Sequence, residues 1–458
     1  MRIYNNILEL IGNTPLVRLN RMADKTMATV VAKLDYLNPG GSIKDRIALQ
    51  MVKRAEEQGL LKPGATIVES TSGNTGLGLA IACAVKGYRS VFTMPDKMSK
   101  EKIDMLKAFG SEVVVTPTDV AHDAPDGYVE VARRITRETP NAVYVDQYSN
   151  QANPEAHYLT TGPEIWRDTD GKIDYFIVGA GTGGTVTGAG RYLKEQAAKV
   201  GRTVKIVVPD PEGSIYYDVF YKREPNAKVY KVEGVGHDFL VDTLDMSVID
   251  EIRPVSDRQS FHAARQLARQ EGIFAGGSSG TAVHVALELA REVGPGKLIV
   301  VVIPDSGDRY ISKFFNDAWM RDLGYLAIDS RLGTVKDILG FKGNHVEFAE
   351  MDEEISHVAT RMNSLGISQM PVRQPKNKEL LLVDEIDILQ NLVSGRNRPG
   401  DAVEKVATPL RGKVRLDDSL SKLNQVFEQN NVAVVLENEQ VVGIISKIDL
   451  VRFLVAKP

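Results

Sequence analysis

Between Ala28 and Ile303 short apolar runs alternate with windows whose hydrophobic positions recur at helical spacing. Val30–Leu34, Thr66–Glu69, Ser90–Thr93, Glu112–Val115, Tyr175–Val178, Val204–Val208 and Leu298–Ile303 read as strands. Apolar strands separated by helices predict an α/β fold with a largely parallel, doubly wound sheet. Ligands of such sheets gather beyond the carboxyl ends of the strands, where glycine-rich segments stand here: Thr71 follows Val68-Glu69, and Gly179 follows Ile177-Val178. The pattern changes after Trp319-Met320. From about Val335 it carries a weak internal repeat. Asp352-Glu353-Glu354-Ile355 matches Asp417-Asp418-Ser419-Leu420, and Val358, Met362 and Ile367 match Leu423, Phe427 and Val432. Asp384–Asp387 later matches Ser446–Asp449. Each unit reads helix, strand, strand, helix, with Pro399-Gly400 between them, so two similar units packed together are expected.

A chain of 458 residues exceeds one ordinary domain. With 43% hydrophobic and 25% charged residues it has ample apolar material for a core. The net charge of −4 comes without a basic block, so neither nucleic acid nor an anionic membrane is an expected partner. No apolar run approaches the ~20 residues of a membrane span, and the start lacks the apolar core of a signal peptide. The single cysteine, Cys83, permits no intrachain disulfide and lies in an apolar, helix-like stretch. A cytoplasmic location fits these features.

Candidate chemistry begins at Pro39-Gly40-Gly41-Ser42-Ile43-Lys44-Asp45-Arg46. Lys44 stands at a tight turn before a helix-like stretch, where its charge opposes the helix dipole. A lysine so placed can form an imine with an aldehyde cofactor. Gly181-Thr182-Gly183-Gly184-Thr185, between a strand and a helix, suits a phosphate, because glycines let backbone N–H groups close on it. Two further segments are Thr71-Ser72-Gly73-Asn74-Thr75-Gly76 and Gly276-Gly277-Ser278-Ser279-Gly280. Ordinary turn and capping chemistry would use many of the same residue types.

Together the four segments resemble the fold-type II pyridoxal-phosphate enzymes, whose catalytic domain has two subdomains. The resemblance implies pyridoxal 5'-phosphate carried on Lys44, its phosphate in the Gly181–Thr185 loop, its ring nitrogen on Ser278 and its ring hydroxyl on Asn74. It places the substrate on Thr71, Ser72, Thr75, Gln147, Tyr148 and Gly234, with no metal. A neutral hydroxyl at the ring nitrogen makes a weaker electron sink and favours elimination at Cβ. Residues 334–456 resemble a tandem CBS-repeat (Bateman) module, which commonly binds adenosine-containing ligands. Ser446 and Asp449 of the second repeat fit a ribose pattern, whereas Asp384 and Glu385 in the first would repel a phosphate. At most one nucleoside site is therefore expected, suited to an adenosyl group such as S-adenosylmethionine.

Within the family, Asp146-Gln147-Tyr148, Asp210–Ser214, Glu233–Phe239, Pro304-Asp305-Ser306 and the C-terminal module are similar to cystathionine β-synthases. His237 departs from the tyrosine expected there, which puts the homocysteine side of the pocket in question. The resemblance implies β-replacement on L-serine by L-homocysteine, with hydrogen sulfide release when cysteine replaces serine. No haem is expected. A homodimer or higher homo-oligomer is expected. The expected domains are a catalytic domain over 1–325, a linker over 326–333 and repeats over 334–395 and 396–458. Two alternatives stand beside this reading: a cysteine synthase with a fused regulatory module, and a ligand-sensing protein whose pyridoxal domain is a relic.

Overall fold

Two sheets carry the parallel strands of the first 316 residues. The computed structural model describes every residue except 1–2, 72, 97, 99, 118–119, 121–123, 327–332, 344–345, 374–379, 429–431, 439 and 457–458. The strands are β1 (Leu16–Arg18), β2 (Thr29–Leu34), β3 (Thr66–Ser70), β4 (Arg89–Pro95), β5 (Glu112–Thr116), β6 (Ala142–Tyr144), β7 (Tyr175–Ile177), β8 (Lys205–Pro211), β9 (Glu251–Val255) and β10 (Leu298–Ile303). A six-stranded sheet runs in the order β1-β2-β10-β7-β8-β9, and a four-stranded sheet in the order β5-β4-β3-β6. Every pairing is parallel except β1 with β2.

The unbroken apolar run of β10 follows from its place inside the larger sheet. Ile299, Val301 and Ile303 enter the core on one face, and Val300 and Val302 enter the core on the other. Both faces are covered, so no position is left for a polar residue. Crossover helices cover them, among them Gly184–Lys199 and Gly277–Val293. The Gly184–Lys199 helix approaches the Ala152–Leu159 helix unusually closely. A Cβ at Gly184 would lie 1.9 Å from Asn153 Oδ1, and one at Gly188 1.9 Å from the Pro154 carbonyl oxygen. Only hydrogen fits there, and that approach brings Asn153 against the glycine loop.

The compact units divide between Asn316 and Asp317. The second unit contains both repeats: β11 (Ala349–Glu350), β12 (Gln369–Arg373), β13 (Leu381–Asp384) and β14 (Thr408–Pro409), then β15 (Lys413–Arg415), β16 (Ala433–Glu437) and β17 (Gln440–Ile445). They make a four-stranded and a three-stranded sheet. Each core borrows from beyond its own repeat. Val335, Ile338 and Leu339 pack with Val414, Leu423, Val435 and Phe453 of the second. Val403 and Val406 pack with Ile355, Met370 and Val383 of the first, and β14 pairs with β13. The exchange cuts across a division at residue 395. Most of the expected linker, 327–332, lies outside the described residues. Among the described residues no helix is long and apolar enough to cross a membrane.

Candidate active site

The carboxyl ends of β2, β3 and β7 deliver three of the glycine-rich segments to one place, and the fourth, Gly276–Gly280, is held beside the loop after β10, where Ala275 bridges Ser306. Lys44 opens the Lys44–Glu57 helix, whose N-cap, Ile43, offers no side-chain cap. The turn before it is clamped to the loop after β10: Ile43 N–H donates to the Pro304 carbonyl at 2.7 Å, and Ser306 N–H to the Gly41 carbonyl at 3.1 Å. Burial pushes the Lys44 amine below its ordinary value, and the negative charge of Asp305 works against that shift. The amine is therefore more readily neutral than a solvated lysine, as a nucleophile needs.

Thr71 ends the run from β3, and its hydroxyl oxygen accepts from Gly73 N–H at 3.0 Å and Gly76 N–H at 3.2 Å. The hydroxyl proton remains free to donate. Thr75 donates to Gln147 Oε1 at 2.6 Å, while Gln147 Nε2 donates to the Ser70 carbonyl at 3.1 Å and keeps a second N–H. Ser72 lies outside the described residues. Asn74 is gripped at both ends: Oδ1 accepts from Arg309 Nη1 at 2.5 Å, and Nδ2 donates to Asp305 Oδ2 at 3.0 Å.

The Gly181–Thr185 loop turns into the N-terminus of the Gly184–Lys199 helix, with Gly183 at φ +77°. A Cβ at Gly181 would lie 2.7 Å from the Gly234 carbonyl oxygen, so these two loops face each other across the cavity. Asn153 Nδ2 donates to Thr182 Oγ1 at 3.0 Å. The Thr185 hydroxyl lies 3.1 Å from His157 Nε2, and His157 Nδ1 2.9 Å from the Thr161 hydroxyl. Burial, reinforced by the charges of Arg46 and Lys44, pushes His157 well below its usual range, so the ring is neutral. Ser278 shares one cavity with Lys44, Gly181, Thr182, Gly183, Thr185 and Gly234. It caps nothing, because the N-cap position is Gly276. Tyr148 stands at the aromatic side, edge-on to His237 at 5.3 Å and to Phe239 at 5.6 Å, with its hydroxyl 3.4 Å from that of Tyr128. A roomier cavity of about 750 Å³ lies elsewhere, lined by Arg54, Glu155, Arg191 and Glu195. It contains none of the motif residues, and Arg54 and Glu155 already pair there.

Sequence reasoning did not place Arg309, Tyr310, Asn153, His157 or Glu233 in this site. Glu233 accepts from Lys102 and Lys313, and although burial alone would raise its carboxyl, the two ammonium groups hold it below the usual range. The available signal was positional: Arg309 and Tyr310 follow the carboxyl end of β10, as the motif residues follow other strands. In the second unit, Ser446 and Asp449 are brought together, Ser446 Oγ donating to Asp449 Oδ2 at 2.6 Å. Asp449 Oδ2 also accepts from Lys342 Nζ at 2.5 Å.

The site's parts suit pyridoxal phosphate: a buried amine, a glycine loop that a Cβ would close, a helix N-terminus and an uncommitted serine hydroxyl. Fold and site thus define a pyridoxal-phosphate-dependent enzyme of fold-type II. The profile of the family described as "Pyridoxal-phosphate dependent enzyme" matches residues 7–305, and that of the CBS domain matches residues 412–456. Cystathionine beta-synthase of Rattus norvegicus is 40% identical over 453 residues, 96% of this chain and 78% of the relative. That of Saccharomyces cerevisiae is 36% identical over 98% of both chains. The crystal structure of a hydrogen sulfide-producing enzyme from Fusobacterium nucleatum superposes with a TM-score of 0.63 at 37% identity, covering 67% of this chain and 100% of that one. The chain belongs to the cystathionine β-synthase family, and its cofactor is pyridoxal phosphate.

Proposed function

We propose that the protein joins L-serine to L-homocysteine, exchanging the β-hydroxyl for the thiol sulfur, to give L-cystathionine and water. One observation carries the reading: the Lys44 amine, the Gly181–Thr185 cradle and the Ser278 hydroxyl line a single cavity in a chain similar to cystathionine β-synthases along nearly its full length. The cofactor supplies an electron sink for charge developing at the substrate α-carbon. Lys44 anchors it, then takes the α-proton at Nζ and returns a proton to the departing hydroxyl. Ser278 donates to the ring nitrogen, and Asn74 to the ring hydroxyl. The free proton of Thr71 and the second N–H of Gln147 receive the substrate carboxylate, to which Ser72 and Thr75 are also assigned. Tyr148 and Gly234 border the entry of the second substrate.

Cysteine as donor releases hydrogen sulfide by the same steps. The likeness to the hydrogen sulfide-producing enzyme of Fusobacterium nucleatum supports this second reaction. The second repeat is assigned an adenosyl-type ligand at Ser446 and Asp449, which must displace Lys342. Self-association is assigned to the module.

Steady-state kinetics with serine against O-acetylserine, and with homocysteine against sulfide, test the main reading. Serine with homocysteine is expected to give the highest kcat/KM. A clear preference for O-acetylserine with sulfide makes the protein a cysteine synthase with a fused module. Lys44→Ala is expected to lose the cofactor's covalent link and nearly all turnover. A colourless wild-type protein without turnover would favour the sensor.

A further inference from the structure

Asp305 is where three of the four glycine-rich segments meet. Its backbone bridges Ser42 in the Lys44 turn, and its carbonyl accepts from Gly276 N–H at 3.1 Å, two residues before Ser278. Its Oδ2 accepts from Asn74 Nδ2 at 3.0 Å and from the Tyr310 hydroxyl at 2.6 Å. Oδ1 is buried with no hydrogen-bond partner among the described residues. It faces Gly276, where a Cβ would stand 2.0 Å away, so no larger residue fits beside the carboxylate. Arg309 completes the frame by donating to Asn74 Oδ1 and to the Gly40 carbonyl. A carboxylate taken out of water with one oxygen unmatched is costly, and a fold that only needed to tie loops together could have used a neutral group. The charge also reaches Lys44, whose amine it holds up against the effect of burial.

We propose that Asp305 is a positioning residue of the cofactor site, acting through Asn74. The Asn74 amide has two N–H groups. One is taken by Asp305, and Arg309 on Oδ1 prevents the amide from flipping. The second N–H is thereby held in one direction, toward the place assigned to the cofactor's ring hydroxyl. Without Asp305 the amide is free to turn about its last bond, and that N–H loses its fixed aim. The inference rests on the cofactor-site reading above, and its test separates the two.

The test uses apoprotein of the full chain, measuring the Kd for pyridoxal phosphate and the absorption band of the loaded protein, with kcat and KM as further readouts. Asp305→Ala is expected to weaken capture about 10- to 100-fold, the worth of a hydrogen bond to a charged group. Its band is expected to shift in the same direction as that of Asn74→Ala. In the double variant the two losses are expected not to add, since both remove one aimed N–H. Asp305→Asn keeps an acceptor oxygen and is expected to recover most of the affinity. Should Asp305→Ala fail to fold, Tyr310→Phe loosens the same carboxylate and is expected to show the same signature, about 3- to 10-fold in size. A wild-type Kd and band in Asp305→Ala overturns the inference, as do losses that add fully in the double variant. A wild-type protein that captures no cofactor overturns the cofactor-site reading, and this inference with it.

Discussion

Glu164 shows what one buried carboxylate does for the catalytic unit. It accepts from Lys33 Nζ at 2.7 Å and from both terminal nitrogens of Arg46, at 2.7 and 2.8 Å. Arg46, two residues after Lys44, also grips Asp35 at 2.9 Å, so this cluster fixes the helix that Lys44 opens. Burial would raise the Glu164 carboxyl, but the Arg46 and Lys33 cations overcome it and bring it to about 2 from 4.5. A carboxyl depressed in the fold stabilises it above the unfolded value and loses that stabilisation as pH falls toward the folded one. Melting temperature is therefore expected to drop steeply between pH 4.5 and about 2, with about 3 kcal/mol at stake from this group. In Glu164→Ala the acid limb should flatten, and the loss at neutral pH should be about 3–5 kcal/mol, because buried Lys33 loses its carboxylate partner and Arg46 keeps only Asp35. An acid limb unchanged in the variant would show that other carboxylates govern it. Ser278 makes a different kind of demand, on chemistry rather than fold. Its hydroxyl is not spent on capping, so Ser278→Ala is expected to fold and still to bind cofactor through Lys44 and the Gly181–Thr185 loop. Its kcat should fall by about 10-fold or more for the lost hydrogen bond, and an undiminished kcat would remove Ser278 from the site.

The helix Val335–Lys342 decides how the second repeat is read. Its apolar residues complete that repeat's core, and Leu339 fills the space over Gly443, where a Cβ would lie 2.5 Å from Leu339 Cδ2. At its end Lys342 holds Asp449 at 2.5 Å and donates to the Ile444 carbonyl at 3.0 Å. An adenosyl ligand using Asp449 must break that ion pair, so Lys342→Ala is expected to bind S-adenosylmethionine about 10-fold more tightly than wild type. Isothermal titration compares the two, and silence of both proteins would leave Asp449 a helix cap. None of this was visible in the sequence, because the contact joins residues 107 apart. The seven strands read from the apolar pattern are all present. Within the first 316 residues the strands not read are Leu16–Arg18, Ala142–Tyr144 and Glu251–Val255, the first two of three residues each and the third interrupted by Pro254. The division into two sheets was equally hidden, since it depends on pairing partners rather than on local periodicity. The motif residues themselves were legible because glycine and a lone lysine mark a strand's end locally. Their supports were not: Arg309, Asn153 and His157 reach the site only through close packing of distant elements.

At the scale of the whole molecule, the internal duplication leaves a matched pair of apolar surfaces. Ile386, Leu389 and Val393 lie on one face of the Glu385–Val393 helix, three and seven residues along, and each is more than half exposed. Ile448, Val451 and Val455 repeat the spacing on the Lys447–Ala456 helix, again each more than half exposed. Single exposed apolar residues are ordinary, but contiguous stripes repeated in both halves of a module mark a surface that is normally covered. A symmetric dimer needs a self-complementary patch, and two like stripes on one chain can meet the same two on a second copy. The self-association proposed for this module would use this face and cover side chains that the cores of the two repeats leave outside. Leu389→Glu combined with Val451→Glu places a charge in each stripe and disturbs neither core. The mass in solution, measured by light scattering on a sizing column, is expected to fall from that of the wild-type assembly, while turnover per chain stays within about two-fold, since the altered helices belong to the second compact unit and every assigned catalytic residue to the first. An unchanged mass in the double variant would move the assembly surface elsewhere on the chain.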